Sequence, residues 1–321
     1  MTRPRRQSDF RAAMLFLLPN FLGFALFTAV PVLWSLGASF TNWTMSNEVP
    51  LAWTGTENFR ELIHDNEFWL YALNTVYLML GLPFAIFGSL LLAMLLSQKL
   101  RGMVVYRTLF YLPTFTNGVA LMILWKALYN PDFGPINSAL SWFFHTFHIP
   151  LQPPYWLLST HSLLALNPEK VGFDATQFGL GARDAMIIMG VWIAIGGNNM
   201  LLYLAALTNV PQDLYEAAWI DGAGKWKTFW NVTWPQLAPT TFFITIMSFI
   251  AGLTGGFEVA RVMTQGKPAG TTITLSYYIY IKAFEQVQMG YASAISWALF
   301  LIIFVATLVG WRFGSRAMAD V

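Results

Sequence analysis

No cysteine occurs in the 321 residues, which excludes disulfides, thiol nucleophiles and cysteine-ligated metals. Charge is the next scarcity. Asp, Glu, Lys and Arg make up 11% of the chain, where soluble domains carry about a quarter, and the net charge is only +2. That is too little to point to nucleic acid. His145 and His148 are spaced for one helical face but have no acids nearby, so no metal site is expected. No G-x-x-x-x-G-K-[ST] run is present, and Gly222-Ala223-Gly224-Lys225 is too short to be one, which excludes ATP binding through a P-loop. With no G-x-S-x-G elbow and no acid pair within an apolar run, an intramembrane enzyme has no support either.

What the chain has is apolar surface: 56% of it is hydrophobic and 17% aromatic. Six apolar runs stand out, at about 12–40, 68–96, 105–128, 185–207, 241–263 and 292–311. Each exceeds or matches the roughly 20 helical residues that cross a hydrocarbon core about 30 Å thick. The class is therefore all-α polytopic, with six transmembrane helices. The first run is longer than a signal-peptide core, so it reads as a retained anchor, and Pro31 is expected to kink or end it. With the N-terminus inside, eleven basic residues, among them Arg3, Arg107 and Lys225, fall on the inner side. Seven, among them Arg60, Lys170 and Arg183, fall outside, which favours both termini in the cytoplasm. Two outer segments result, 41–67 and 130–183, the second holding a short helix at about 136–147.

Between the fourth and fifth runs lies the most charged stretch of the C-terminal half, 214–235. Its first part reads as a helix begun by Pro211 and Asp213 and stopped by Gly222 and Gly224. Leu214, Ala218 and Trp219 share one face. A second short helix, about 225–233, is expected to end against Pro235, with Trp226, Phe229 and Trp230 as an aromatic ridge. Two such helices with a glycine elbow make a docking knob for another protein.

Glu216-Ala217-Ala218, then Asp221-Gly222-Ala223, then Pro235 resemble the EAA loop of permease subunits of bacterial ABC importers. Trp234 departs from the usual leucine. The resemblance extends over about 68–311. It includes Arg107 and Pro113, then Trp125, Gly134 and Asn137, and the Phe257-Glu258 pair before Thr264, Gly266 and Pro268, with Lys267 in place of a second glycine. Tyr280, Ala283-Phe284 and Met289-Gly290-Tyr291-Ala292 are similar to the stretch before the last span of carbohydrate permeases of the maltose and glycerol-phosphate kind. The segment 157–182 is longer than that family leads one to expect.

The resemblance implies the type I importer fold and a non-catalytic permease of an ATP-driven sugar importer in the bacterial inner membrane. Its parts would be a tail, first helix and outer loop (1–67), a transport domain (68–312, with the EAA-like loop at 211–239) and a cytoplasmic tail (313–321). Implied partners are a second homologous permease, two ATPase subunits, an extracytoplasmic solute-binding protein, the sugar and membrane lipid. The chain itself would bind no cofactor; ATP and Mg would sit on the ATPases. Glu216, Ala217, Ala218, Asp221 and Gly222 become the ATPase-coupling candidates, with Glu216 as a charged contact.

Polar residues inside apolar runs carry a second expectation, since an unpaired polar group in hydrocarbon is costly. Asn198 and Asn199, beside Gly196 and Gly197, lie in the fourth run; Ser248, Thr254 and Glu258 lie along the fifth, with Gly252, Gly255 and Gly256. One reading is close helix packing with asparagine as an interhelical donor. The other is a polar patch lining a substrate pathway, which the resemblance favours because sugar permeases place substrate contacts on these spans. Alternatives to a sugar permease are a permease of the same superfamily for glycerol phosphate or an amino acid, and a membrane scaffold or receptor without transport. A phosphate ester would want a cation inside the spans, and Lys126 is the weak candidate.

Overall fold

The computed structural model describes residues 5–46, 50–98, 101–116, 118–164 and 170–319. Among them the regular structure is helical; the only β pairings are two isolated bridges, Thr41 with Trp53 and Gln152 with Gln177. Five helices are long and apolar enough to cross a membrane, and six if one bent pair counts as a single span. The chain divides into two compact units, Met1–Asp65 with Ile279–Phe300, and Asn66–Tyr278 with Leu301–Val321.

In the first unit the helix through Ala12–Ala38 carries the first span. Of the two expectations for Pro31, a kink or an end, the structure excludes the end: the helix continues to Ala38. A proline removes one N–H and crowds the carbonyl four residues back, here Phe27. That residue lies inside a π turn, Ala25–Ala29, in which the Val30 N–H donates to the Ala25 carbonyl five residues back. Beyond the span, the Asn58 amide donates to the carbonyls of Ser39 and Thr41, 2.9 Å each, and closes the exit turn. The Gly290 N–H donates to the Trp43 carbonyl at 2.9 Å, and a Cβ on Gly290 would run into the Thr41 carbonyl. Trp297 Nε1 donates to Ser35 Oγ at 3.1 Å, so the start of the last span is pinned to the first.

The second unit holds the remaining crossings: Asn66–Leu96, the bent pair Met103–Phe115 and Gly118–Leu128, Ala182–Asn209 and Lys225–Thr254. Its core is built by Leu90, Ala93 and Leu96 on the second span, Met200 and Tyr203 on the fourth, and Leu237 and Ile244 on the fifth. Without hydrophobic contrast to lipid, such helices associate by close packing, and small residues permit it. A Cβ on Gly88 would come within 2.7 Å of Ile195, and Ser89 Oγ donates across to the Ala194 carbonyl at 3.1 Å.

Three expectations change here. The third run is not one straight helix: its halves meet at 95°, after Pro113 and an extended Thr116; Asn117 lies outside the described residues. The second hairpin helix does not stop at Pro235 but continues from Lys225 to Thr254, through a π turn at Phe229–Thr233 that contains the carbonyl of Asn231, four residues before the proline. The fifth span also ends at Thr254 rather than near 263, because Gly255 turns extended and Gly256 takes φ +88°, starting the separate helix Phe257–Met263. The short helix expected at 136–147 is present as Pro135–Thr146.

Candidate functional site

The hairpin between the fourth and fifth spans opens with the helix Gln212–Ile220. Pro211 precedes it as cap, and Asp213 stands in its first turn, where a carboxylate meets the positive end of the dipole. Its end is a Schellman turn. The Ala223 N–H donates to the Ala218 carbonyl at 2.9 Å and the Gly222 N–H to the Trp219 carbonyl at 3.0 Å, with Gly222 at φ +72°. Tyr215 and Thr233 hydroxyls bond at 3.1 Å and tie this helix to the base of the fifth span.

On that frame Glu216, Ala217, Asp221 and Gly222 are exposed and Ala218 is half-buried. Trp219 and Ile220 project beside them, Ile220 86% exposed. The five residues therefore offer two carboxylates and small side chains, with the apolar tips of Trp219 and Ile220 beside them. This arrangement suits a partner that approaches closely.

The polar candidates lie elsewhere in the same unit. Asn198 begins the second half of the fourth span, after the Gly196–Gly197 break, where a Cβ on Gly196 would strike the Phe110 carbonyl. Its Oδ1 accepts from the Tyr111 hydroxyl at 2.9 Å, a partner that the sequence reading did not single out. Asn199 and Ser248 are half-buried. Thr254 is exposed, its hydroxyl donating to the Ile250 carbonyl at 2.9 Å, and Glu258 is exposed in the first turn of the next helix, with its carboxylate against Gly118. A cavity of about 580 Å³ inside the bundle, lined by Met79, Ala85, Pro113, Met122, Met186 and Gly252 among others, is bordered by none of the five.

One polar cluster escaped the sequence reading. Arg183, counted there as an outer charge, is buried with Asp184. Arg183 Nη1 donates to Asn74 Oδ1 at 3.0 Å, and the guanidinium lies 4.6 Å from the Tyr77 ring centre. The Asn74 amide donates to the carbonyls of Gly270 and Ile273 at 2.9 and 3.0 Å. Tyr77 donates to Asp184, and Asp184 also accepts the Gly181 N–H at 3.2 Å as a helix cap. The adjacent Arg-Asp pair at a run's start was the available signal.

Residues 69–316 match the family described as the binding-protein-dependent transport system inner membrane component. The chain is 32% identical over 309 residues to the probable ABC transporter permease protein YesP of Bacillus subtilis (strain 168), covering 94% of this chain and 90% of that one. It is also 32% identical over 300 residues to the lactose transport system permease protein LacF of Rhizobium radiobacter, covering 92% and 91%. A chain in the crystal structure of a bacterial ABC transporter involved in the import of the acidic polysaccharide alginate superposes with a TM-score of 0.77 at 23% identity, covering 97% and 99%. That likeness shows the fold of an ABC importer permease. The chain belongs to the binding-protein-dependent transport system inner membrane component family, and is a transporter subunit rather than a catalyst.

Proposed function

We propose that the chain is one half of the translocation pathway of an ATP-driven sugar importer, paired with a second, homologous permease. The observation that carries the reading is the hairpin: Glu216, Ala217, Trp219 and Ile220 stand open on a helix whose exit is fixed by Gly222 and whose base is bonded to the fifth span through Tyr215 and Thr233. Two ATPase subunits, holding ATP and Mg, dock on the cytoplasmic side, one of them against this helix. Their closure on ATP pushes the helix, and the Tyr215–Thr233 bond passes the push into the span. A solute-binding protein delivers sugar on the other side. Both termini are cytoplasmic, as the basic residues divide.

The substrate residues are Asn198, Asn199, Ser248, Thr254 and Glu258, exposed or half-buried in the single chain, where the second permease closes the pathway. Amides and hydroxyls pair with sugar hydroxyls. A sugar fits better than a phosphate ester because two of the cations within or beside the spans are already engaged: Arg107 Nε and Nη2 bond the Leu96 carbonyl at 3.1 and 2.7 Å, and Arg183 bonds Asn74. LacF is named for lactose, which supports the same class.

The test is the purified complex with its binding protein. A neutral sugar is expected to raise ATP hydrolysis and sn-glycerol 3-phosphate is not; Glu216→Ala is expected to lose the ATPase subunits on purification. Stimulation by the phosphate ester alone, or full retention and stimulation in Glu216→Ala, overturns the corresponding part. Labelling of Lys225→Cys by an impermeant reagent from outside intact cells would overturn the orientation.

A further inference from the structure

Trp226, Trp230 and Trp234 follow at four-residue spacing and form one stripe along the start of the fifth span. The ring centres of Trp226 and Trp230 are 5.8 Å apart and those of Trp230 and Trp234 are 5.9 Å apart. Trp226 is 74% exposed and Trp230 47%. Lys225 and Lys227 are exposed as well, each about 100° round the helix from Trp226, one on either side.

Depth in the membrane follows from length. Lys225–Thr254 has 30 residues and so reaches about 45 Å at 1.5 Å per residue. Hydrocarbon takes about 30 Å and the bilayer with its headgroups about 40–45 Å. The Gly255–Gly256 break fixes one end at Thr254. With Thr254 set at the far edge of the hydrocarbon, the near edge falls about twenty residues back, near Trp234, which puts Lys225 to Trp230 at headgroup level. Indole favours that zone because its ring is apolar and its N–H meets water, while lysine reaches the lipid phosphates.

Charge separates this ridge from the docking helix. Gln212–Ile220 carries Asp213 and Glu216 and no Lys or Arg; the stretch Lys225 to Trp230 carries two lysines and no acid. Anionic lipid is repelled by the first and attracted by the second. We infer that Lys225, Trp226, Lys227 and Trp230 form a binding surface for anionic phospholipid headgroups, and are not part of the protein-docking face of the hairpin. The inference rests on Lys225–Thr254 crossing the membrane and is independent of how the ATPases dock.

Asn231→Cys places a single thiol next to Trp230 in a chain without cysteine. The assembled transporter, with cysteine-free partner subunits, is labelled there with bimane. It is then placed in phosphatidylcholine nanodiscs doped with either phosphatidylglycerol or phosphatidylcholine dibrominated near the top of the acyl chain, at equal mole fraction. A lysine beside an anionic surface is worth about fivefold in local attraction. Quenching by the brominated phosphatidylglycerol should therefore be several-fold stronger, and the preference should vanish in Lys225→Gln/Lys227→Gln. If that pair fails to assemble, Lys227→Gln alone should reduce the preference. No quenching by either lipid means that protein or water covers the ridge, and overturns the inference. Equal quenching by both overturns the headgroup selectivity, and a preference that survives loss of the lysines overturns their role.

Discussion

The two ends of the fourth span handle polarity in opposite ways. At its start, Arg183 and Asp184 are buried and bonded to Asn74, Tyr77 and Gly181. Past its far end, the hairpin's first helix exposes Trp219 and Ile220 to whatever surrounds the chain. The span between has 28 residues, so the two sites are separated by about 40 Å. Buried polar groups that find partners within the chain are there for its own integrity. Exposed apolar groups on a rigid frame have their partner outside the chain. Changes at the first site should therefore show as lost stability, and changes at the second as lost assembly with stability intact.

Asn74→Leu should break the comparison open most widely. Leucine keeps asparagine's branched shape but takes the Asn74 acceptor from the Arg183 guanidinium and the amide donor from the Gly270 and Ile273 carbonyls, of which Gly270 keeps the Ile273 N–H. Losing such a buried hydrogen bond to a charged group costs about 1.5–3 kcal/mol. The expected outcome is a markedly lower unfolding midpoint for the purified complex in detergent, with the surviving fraction still retaining ATPase subunits. An unchanged midpoint would show that this cluster does not hold the unit together.

Gly222→Val should give the converse pattern. A Cβ at Gly222 meets nothing within 4 Å, so space is not the obstacle; φ +72° is. A β-branched residue there is strained by about 1–3 kcal/mol, which the short turn cannot absorb without losing its shape. ATPase co-purification should fall strongly while the unfolding midpoint stays put. Gly224→Ala is the matched control, since Gly224 has φ −71° and open space, and it should behave as wild type.

Much of this was legible in the sequence, for specific reasons. The hairpin's stop at Gly222 was readable because a Schellman turn is local and glycine is its signature. The apolar runs were readable because hydrocarbon demands length. What hydropathy does not carry is the path of the backbone within a run. The stretch 241–263 stays apolar across Gly255 and Gly256, so its break was invisible there, as was the 95° bend between Met103–Phe115 and Gly118–Leu128. Pro235 was misread as a stop because the π turn before it, which keeps the helix going, has no strong sequence signature. The bond from Arg183 to Asn74 joins residues 109 positions apart, and no reading of one sequence links them.

The polar residues Asn198, Asn199 and Ser248 fall between the two extremes, half-buried to exposed, with Asn198 bonded to Tyr111. Loss of one hydrogen bond to a sugar costs about 1 kcal/mol, or about fivefold. Asn198→Ala with Asn199→Ala should lower uptake several-fold to tenfold or more, with the complex intact, and Ser248→Ala less. Tyr111→Phe sharpens this further: it removes the donor to Asn198 without touching the amide, and should lower uptake less than the loss of Asn198 itself. Normal uptake by the double asparagine variant, with a lowered midpoint, would move these residues to the stability side of the comparison.

The smallest effect concerns His161, a half-buried ring in the 130–183 segment. His161 stacks on Phe173 with ring centres 3.5 Å apart, and its Nε2 is sealed from solvent with no hydrogen-bond partner among the described residues. Burial lowers its pKa from the usual value near 6.5, Asp174 and Asp184 oppose the shift, and Lys170 adds to it. The folded chain thus binds a proton less readily than the unfolded one. The neutral ring's contribution is complete above about pH 6.5 and is lost as the pH falls toward the folded value, below which the loss levels off. Amide exchange in the segment around Ser159 to Ala182 should therefore quicken between pH 7.5 and 5.5, beyond the intrinsic trend, while the hairpin 212–235 shows no such step. His161→Phe keeps the stack and removes the titration, so its exchange should be flat over the same range. A step that persists in His161→Phe would assign the pH response to a different group.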